Sequence, residues 1–88
     1  MSTKKAPFKS GDRVAIMPNG YSLVPGIILA AWQGNVASWK GDVLTEDGVL
    51  ENRSLHRDYV SKASSLTADT REGWGPAWER LEKEPASA

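Results

Sequence analysis

His56 is the single histidine of this 88-residue chain, and Asp58 stands two positions after it. An imidazole beside a carboxylate is the beginning of a general base, because the carboxylate can hold the ring in one tautomer. The remaining parts of such a site do not accompany it. The chain has no cysteine, and no serine is spaced with His56 to read as an activated nucleophile. Asp42, Glu46, Asp47 and Glu51 gather around one turn, whereas a two-carboxylate hydrolase faces its acids across a cleft. The glycines are isolated, so no phosphate-cradling loop is formed, and no histidine–carboxylate spacing suits zinc. The residues therefore name no catalytic group, no metal ligand and no cofactor.

Binding chemistry is better represented. Arg53, His56, Arg57 and Lys62, with Tyr59 among them, offer a basic patch with one ring for stacking on a nucleotide. Glu51 and Asp58 are interleaved with that patch, and the whole chain balances 11 basic against 11 acidic residues. A dedicated nucleic-acid binder carries a basic excess that displaces counterions, so the patch reads first as a solvated face and nucleic acid is not the expected partner. Trp32, Trp39, Tyr21 and Tyr59 could frame an aromatic cage for a methylated cation, and Trp32 and Trp39 join the basic residues as a candidate ligand patch. At least two of these rings are expected in core or rim packing.

Trp74, Trp78 and Leu81 have the weakest purely structural explanation. They fall four and three residues apart and share one face of a helix, while Glu79 and Lys83 pair on another. So short a helix is not stable alone in water. Its aromatic face must dock, either on its own domain or on another chain. Tryptophan-rich faces dominate interface energetics, and these three residues are the expected partner contact.

The elements that must position these groups can be read along the chain. Residues 1–7 are a polar, flexible arm ending in Pro7, and Phe8 can fold back as a lid. Val14 and Ile16 alternate with Arg13, Ala15 and Met17 at strand period. Pro18-Asn19-Gly20 breaks that strand, and Tyr21 to Pro25 is expected as a loop. Val24 to Trp32 is the most apolar window, with Ile27-Ile28-Leu29 as the central strand. After Gln33-Gly34-Asn35 comes a short strand over Val36–Lys40. Gly41 allows a bulge or bend, and Asp42–Thr45 continues. Asp47-Gly48 is the clearest hairpin signal, and Val49–Glu51 returns. Asn52 to Val60 holds a turn of 3₁₀ helix and a last strand, in either order. This pattern is mainly β, a small five-stranded barrel over residues 8–60 with a short C-terminal helix. Residues 61–73 read as a linker and 74–88 as a helical tail, with Pro76 at the first helical position and Pro85 at its end.

Gly11-Asp12-Arg13-Val14, followed by Pro25-Gly26-Ile27-Ile28-Leu29 and Val43-Leu44-Thr45-Glu46-Asp47-Gly48, resembles the SH3-like barrels, closest to the Tudor and KOW types and to short phage and plasmid proteins of that shape. A narrower resemblance is to the plasmid-borne type II dihydrofolate reductases. It rests on Phe8 to Val14, on Ala30-Ala31-Trp32-Gln33-Gly34, and on Trp39, Leu44-Thr45 and Gly48. That resemblance implies a homotetramer whose central pore binds folate and NADPH. Two stretches depart from it. Residues from Asn19 to Leu29 intervene, and Ser54-Leu55-His56-Arg57-Asp58-Tyr59 stands where that family has its pore-lining Val-Gln-Ile-Tyr strand.

A barrel of about 60 residues buries only about 60% of its unfolded surface and commonly gains stability from a partner or from copies of itself. No apolar run is long enough to span a bilayer, and Met1 to Pro7 lacks the apolar centre of a secretory signal. The expectation is a cytoplasmic protein, or a virion component if phage-encoded. It would work as a non-catalytic interaction or assembly module whose partner is another protein or copies of itself. The alternatives are an NADPH-using reductase tetramer and, third, a weak nucleic-acid-binding barrel.

Overall fold

The computed structural model describes residues 8–34, 38–56 and 58–83. The expected N-terminal arm, Val36, Ala37, Arg57 and the end of the tail lie outside the described residues. The elements are β1 (Arg13–Ile16), β2 (Val24–Gln33), β3 (Trp39–Thr45), β4 (Gly48–Ser54), β5 (Val60–Lys62), a 3₁₀ turn at Ala63–Ser65 and one helix, α1 (Ala68–Lys83). The strands form one sheet in the order β4-β3-β2-β1-β5, antiparallel throughout. The chain is therefore mainly β, with five strands and a C-terminal helix. No helix among the described residues is long and apolar enough to cross a membrane.

The apolar run of β2 is explained by burial on both faces. Ile28 and Val43 point inward, into a cluster with Val14, Ile16, Val60, Phe8 and Leu55. Ile27 and Leu44, one position away on the same strands, point outward beneath Trp78 and Leu81. A strand covered on both sides shows a continuous apolar stretch rather than an alternating one. Phe8 does act as a lid, packed on the same inner cluster.

The sheet bends around the inner cluster without closing into a barrel. Leu50 from one edge strand packs against that cluster, and Val60 from the other edge lies within it, so the two edges curve toward one core. Yet no ladder joins β4 to β5 among the described residues. The three residues of β5 are spent on β1, and Leu55 plugs the gap, its N–H donating to the Trp39 carbonyl at 2.9 Å. The mainly β class expected from the sequence holds, and the small five-stranded barrel takes the form of an open, bent sheet among the described residues.

Several boundaries also differ. β2 begins at Val24, inside the expected loop. Pro25 is tolerated there because it precedes the first β2–β3 pair, Gly26↔Thr45, so its missing N–H breaks no bond of that ladder. β3 runs unbroken over Trp39–Thr45 through Gly41, where a bulge or bend was expected. A Cβ at Gly41 would run into the Ala30 carbonyl and crowd Leu55, and the ladders on both sides of β3 shift register close by. β4 runs on to Ser54 because Asn52 takes a left-handed φ of 55° at that irregularity, its N–H held by the Asp42 carboxylate at 3.0 Å. The hairpin turn is Glu46–Asp47, and the positive φ falls one residue later, at Gly48. The 3₁₀ turn, expected within Asn52 to Val60 in either order with the last strand, lies beyond that stretch, at Ala63–Ser65 after β5.

The helix starts at Ala68, six residues ahead of Trp74, so the expected linker takes in the end of β5, the 3₁₀ turn and the helix's first turns. Thr67 caps it, its hydroxyl accepting the Thr70 N–H at 3.2 Å. Pro76 lies inside the helix rather than at its start. Two glycines and an internal proline cost about 5 kcal/mol of helix propensity relative to alanine. The helix is held by what it covers.

Candidate functional site

The helix face expected to meet a partner is turned onto the protein's own sheet. Trp78 is 1% exposed, and its indole N–H donates to the Val14 carbonyl at 3.1 Å. Leu81 is buried beside it, and Trp74 is half-buried, edge-on to Trp78 with ring centroids 5.8 Å apart. The docked helix is fastened at its polar rim. Arg13 grips Glu82 with two hydrogen bonds of 2.9 and 2.8 Å, and Arg80 pairs with Glu46 at the β3–β4 turn. The hydrogen bond to Arg13 holds the Glu82 carboxyl below its ordinary range, and the same bond raises Arg13. A partner using Trp78 would first have to displace the helix.

The aromatic cage is not assembled either. Gln33 pairs with Trp39 and Trp32 with Lys40, so the two indoles leave opposite faces of the sheet. Trp39 packs on the inner cluster, while Trp32 is 38% exposed.

The basic group is divided. Lys62 places its ammonium 5.9 Å from the centre of the Phe8 ring, on the inner-core lid. Arg53 and Tyr59 come together at one end of the sheet, with His56 edge-on to Tyr59 at 6.5 Å. They line a cleft of about 310 Å³ with Ile16, Met17, Pro18, Gly20 and Ser54. Two connections build it, the β1–β2 loop and the β4–β5 turn. The Met17 N–H donates to the Tyr59 carbonyl at 2.9 Å and ties the two together. The β4–β5 turn is closed by the His56 carbonyl, which accepts from Tyr59 and Val60 at 2.8 and 3.0 Å. On the opposite wall Asn19 orders the loop, its side-chain oxygen accepting from Tyr21 at 2.9 Å and Ser22 at 3.3 Å.

The His56 Nδ1 accepts the Asp58 backbone N–H at 3.1 Å and lies 3.4 Å from the Asp58 carboxylate, with both side chains largely exposed. The imidazole here shapes the turn. Among the described residues no three His, Asp or Glu side chains gather as a metal site.

Comparison with known protein families, with curated proteins and with solved structures finds no match. The site therefore stands on its own geometry.

Sequence reasoning found Arg53 and Tyr59 but not the wall facing them. Met17, Pro18 and Gly20 read only as the end of a strand and its breaker. The available signal was the pair of large apolar residues, Tyr21 and Leu23, in a loop too polar to form core.

Proposed function

We propose that this chain is a non-catalytic protein-interaction or assembly module, an SH3-like scaffold that meets its partner at the cleft end of the sheet. Five short antiparallel strands bent around one aliphatic cluster support the SH3-like reading. The observation that carries the function is the distribution of exposed apolar side chains. Tyr21 is 87% exposed, Leu23 40% and Tyr59 50%, and all three belong to the two connections that form the cleft, while Trp32 at 38% and Val49 at 37% lie singly on β2 and β4. Large apolar groups left in water on neighbouring loops mark an interaction surface more often than accident. The tail helix contributes by covering the outer face, and only an undocked helix would offer Trp74, Trp78 and Leu81 to another chain.

The test is a triple substitution, Tyr21→Ser with Leu23→Ser and Tyr59→Ser, compared with the wild-type chain in the cells that encode it. Native mass measurement should find the wild-type chain in a complex, with itself or with another protein. The triple variant should be monomeric with unchanged melting. A complex that survives the substitutions, or a wild-type chain that is always a lone monomer, overturns the proposal. NADPH titration of the purified chain should leave tryptophan fluorescence unquenched; quenching with turnover would replace this reading with the reductase one.

A further inference from the structure

Resting on that reading, we infer that the cleft takes an extended acidic segment of the partner, a carboxylate seated on Arg53 and a neighbouring aliphatic or aromatic side chain laid over Met17, Pro18 and Tyr59. The inference comes from the unequal treatment of the arginines. Arg13 and Arg80 have carboxylate partners within the chain. Arg53 and the helix-borne Arg71 have none among the described residues, and Arg53 lines a cleft that contains no acidic side chain. A guanidinium presents a planar fork that carboxylates match with two parallel bonds.

Two hydroxyls point to the same chemistry. The Ser54 oxygen accepts the His56 N–H at 3.3 Å, which leaves its own O–H to donate outward. Tyr59 exposes a phenol that donates to no group among the described residues. Arg53, Ser54 and Tyr59 thus line the same cleft as Ile16, Met17 and Pro18. Donors and apolar side chains in one cleft fit an anion attached to something apolar, which is a carboxylate side chain next to a hydrophobic residue.

Size and charge select the peptide among anions. The cleft sits at the lower end of the range of about 300–1,000 Å³ typical of ligand pockets, enough for a few side chains of an extended segment. The net charge of zero supplies no long-range pull on a polyanion, and the single ring of Tyr59 gives successive bases nothing further to stack on.

The test uses the full chain and three fluorescein-labelled peptides. In the first, Asp alternates with Leu; in the others Asn or Lys replaces each Asp. Fluorescence anisotropy should show binding of the Asp peptide, binding weaker by about tenfold for the Asn peptide, and none for the Lys peptide. Arg53→Gln should weaken the Asp peptide by about tenfold without moving the melting temperature. Equal binding of all three peptides, no binding of any, an unaffected Arg53→Gln variant, or preference for single-stranded oligothymidine would each overturn the inference. If Arg53→Gln keeps the cellular complex while the Tyr21, Leu23 and Tyr59 variant loses it, the interaction role stands and the acidic ligand falls. If the wild-type chain forms no complex at all, the interaction role itself fails.

Discussion

The outer face of the sheet and its cleft end use the same residue types to opposite ends. Beneath the helix, every large side chain has a partner in its own chain: Trp78 has Ile27, Leu44 and the Val14 carbonyl, Arg13 has Glu82, and Arg80 has Glu46. At the cleft end, Tyr21 stands largely in water and Leu23 and Tyr59 about half so, and Arg53 has no carboxylate among the described residues. The difference teaches that residue type does not distinguish a structural aromatic from a binding one. Burial of the ring, and saturation of its polar atoms, does. A buried indole with its N–H satisfied has nothing left to offer, whereas an exposed phenol beside a guanidinium with no carboxylate partner among the described residues has both area and donors.

The comparison breaks first at Trp78. Trp78→Ala removes a buried ring from beneath the helix and should cost about 3–5 kcal/mol of stability by urea unfolding. The helix should lose most of its far-ultraviolet signal, because its propensity alone does not sustain it. A change within experimental error would mean that the helix is not docked.

Gly41→Ala tests the packing of β3 against β2 where the ladders shift register. A methyl there meets the Ala30 carbonyl, which is backbone and has little room to give. The expected loss is about 2 kcal/mol, and wild-type stability would show that the strands can separate at that point without penalty.

Gly73→Ala sharpens the case for the helix from the other direction. The position is helical, and an added Cβ meets nothing within 4 Å. The substitution should stabilise by about 0.5–1 kcal/mol. A destabilisation would place Gly73 outside helix, or against a surface.

The smallest effect belongs to the rim. Glu82 is held below its ordinary carboxylate range by Arg13. Its contribution is therefore complete above that range and is lost as pH falls through the folded value. Both side chains are more than a third exposed, so solvent screening limits the pair to about 0.2–1 kcal/mol. Glu82→Gln should lower the melting temperature slightly near neutral pH, and the difference from wild type should vanish in acid. A difference that grows in acid would reverse the assignment.

How far the sequence reaches follows from the same contrast. Strand number, the central β2 and the Glu46–Gly48 hairpin were legible because period, β-branching and turn residues are local. Gly41 was legible as a bulge or bend position for the same reason. Closure was not, since the three residues of β5 are taken up by β1, a strand distant in the chain, and not by the nearby β4. The start of α1 was missed because Gly73, Gly75 and Pro76 argue against helix locally, and docking of Trp78 and Leu81 overrides them. Trp74, Trp78 and Leu81 were correctly placed on one face, but spacing cannot say whose surface that face covers. At the cleft, Arg53 and Tyr59 were visible as chemistry. Met17 and Pro18 became part of it only through the hydrogen bond from Met17 to Tyr59.

Hydrogen exchange at the four tryptophan indoles, followed by NMR on the wild-type chain, addresses the helix docking directly. A Trp78 indole N–H bonded to Val14 under a docked helix should exchange only on global unfolding, far more slowly than the half-exposed Trp32. A Trp78 indole exchanging as fast as Trp32 would contradict the docked helix, and with it the assignment of the cleft end as the surface left for a partner.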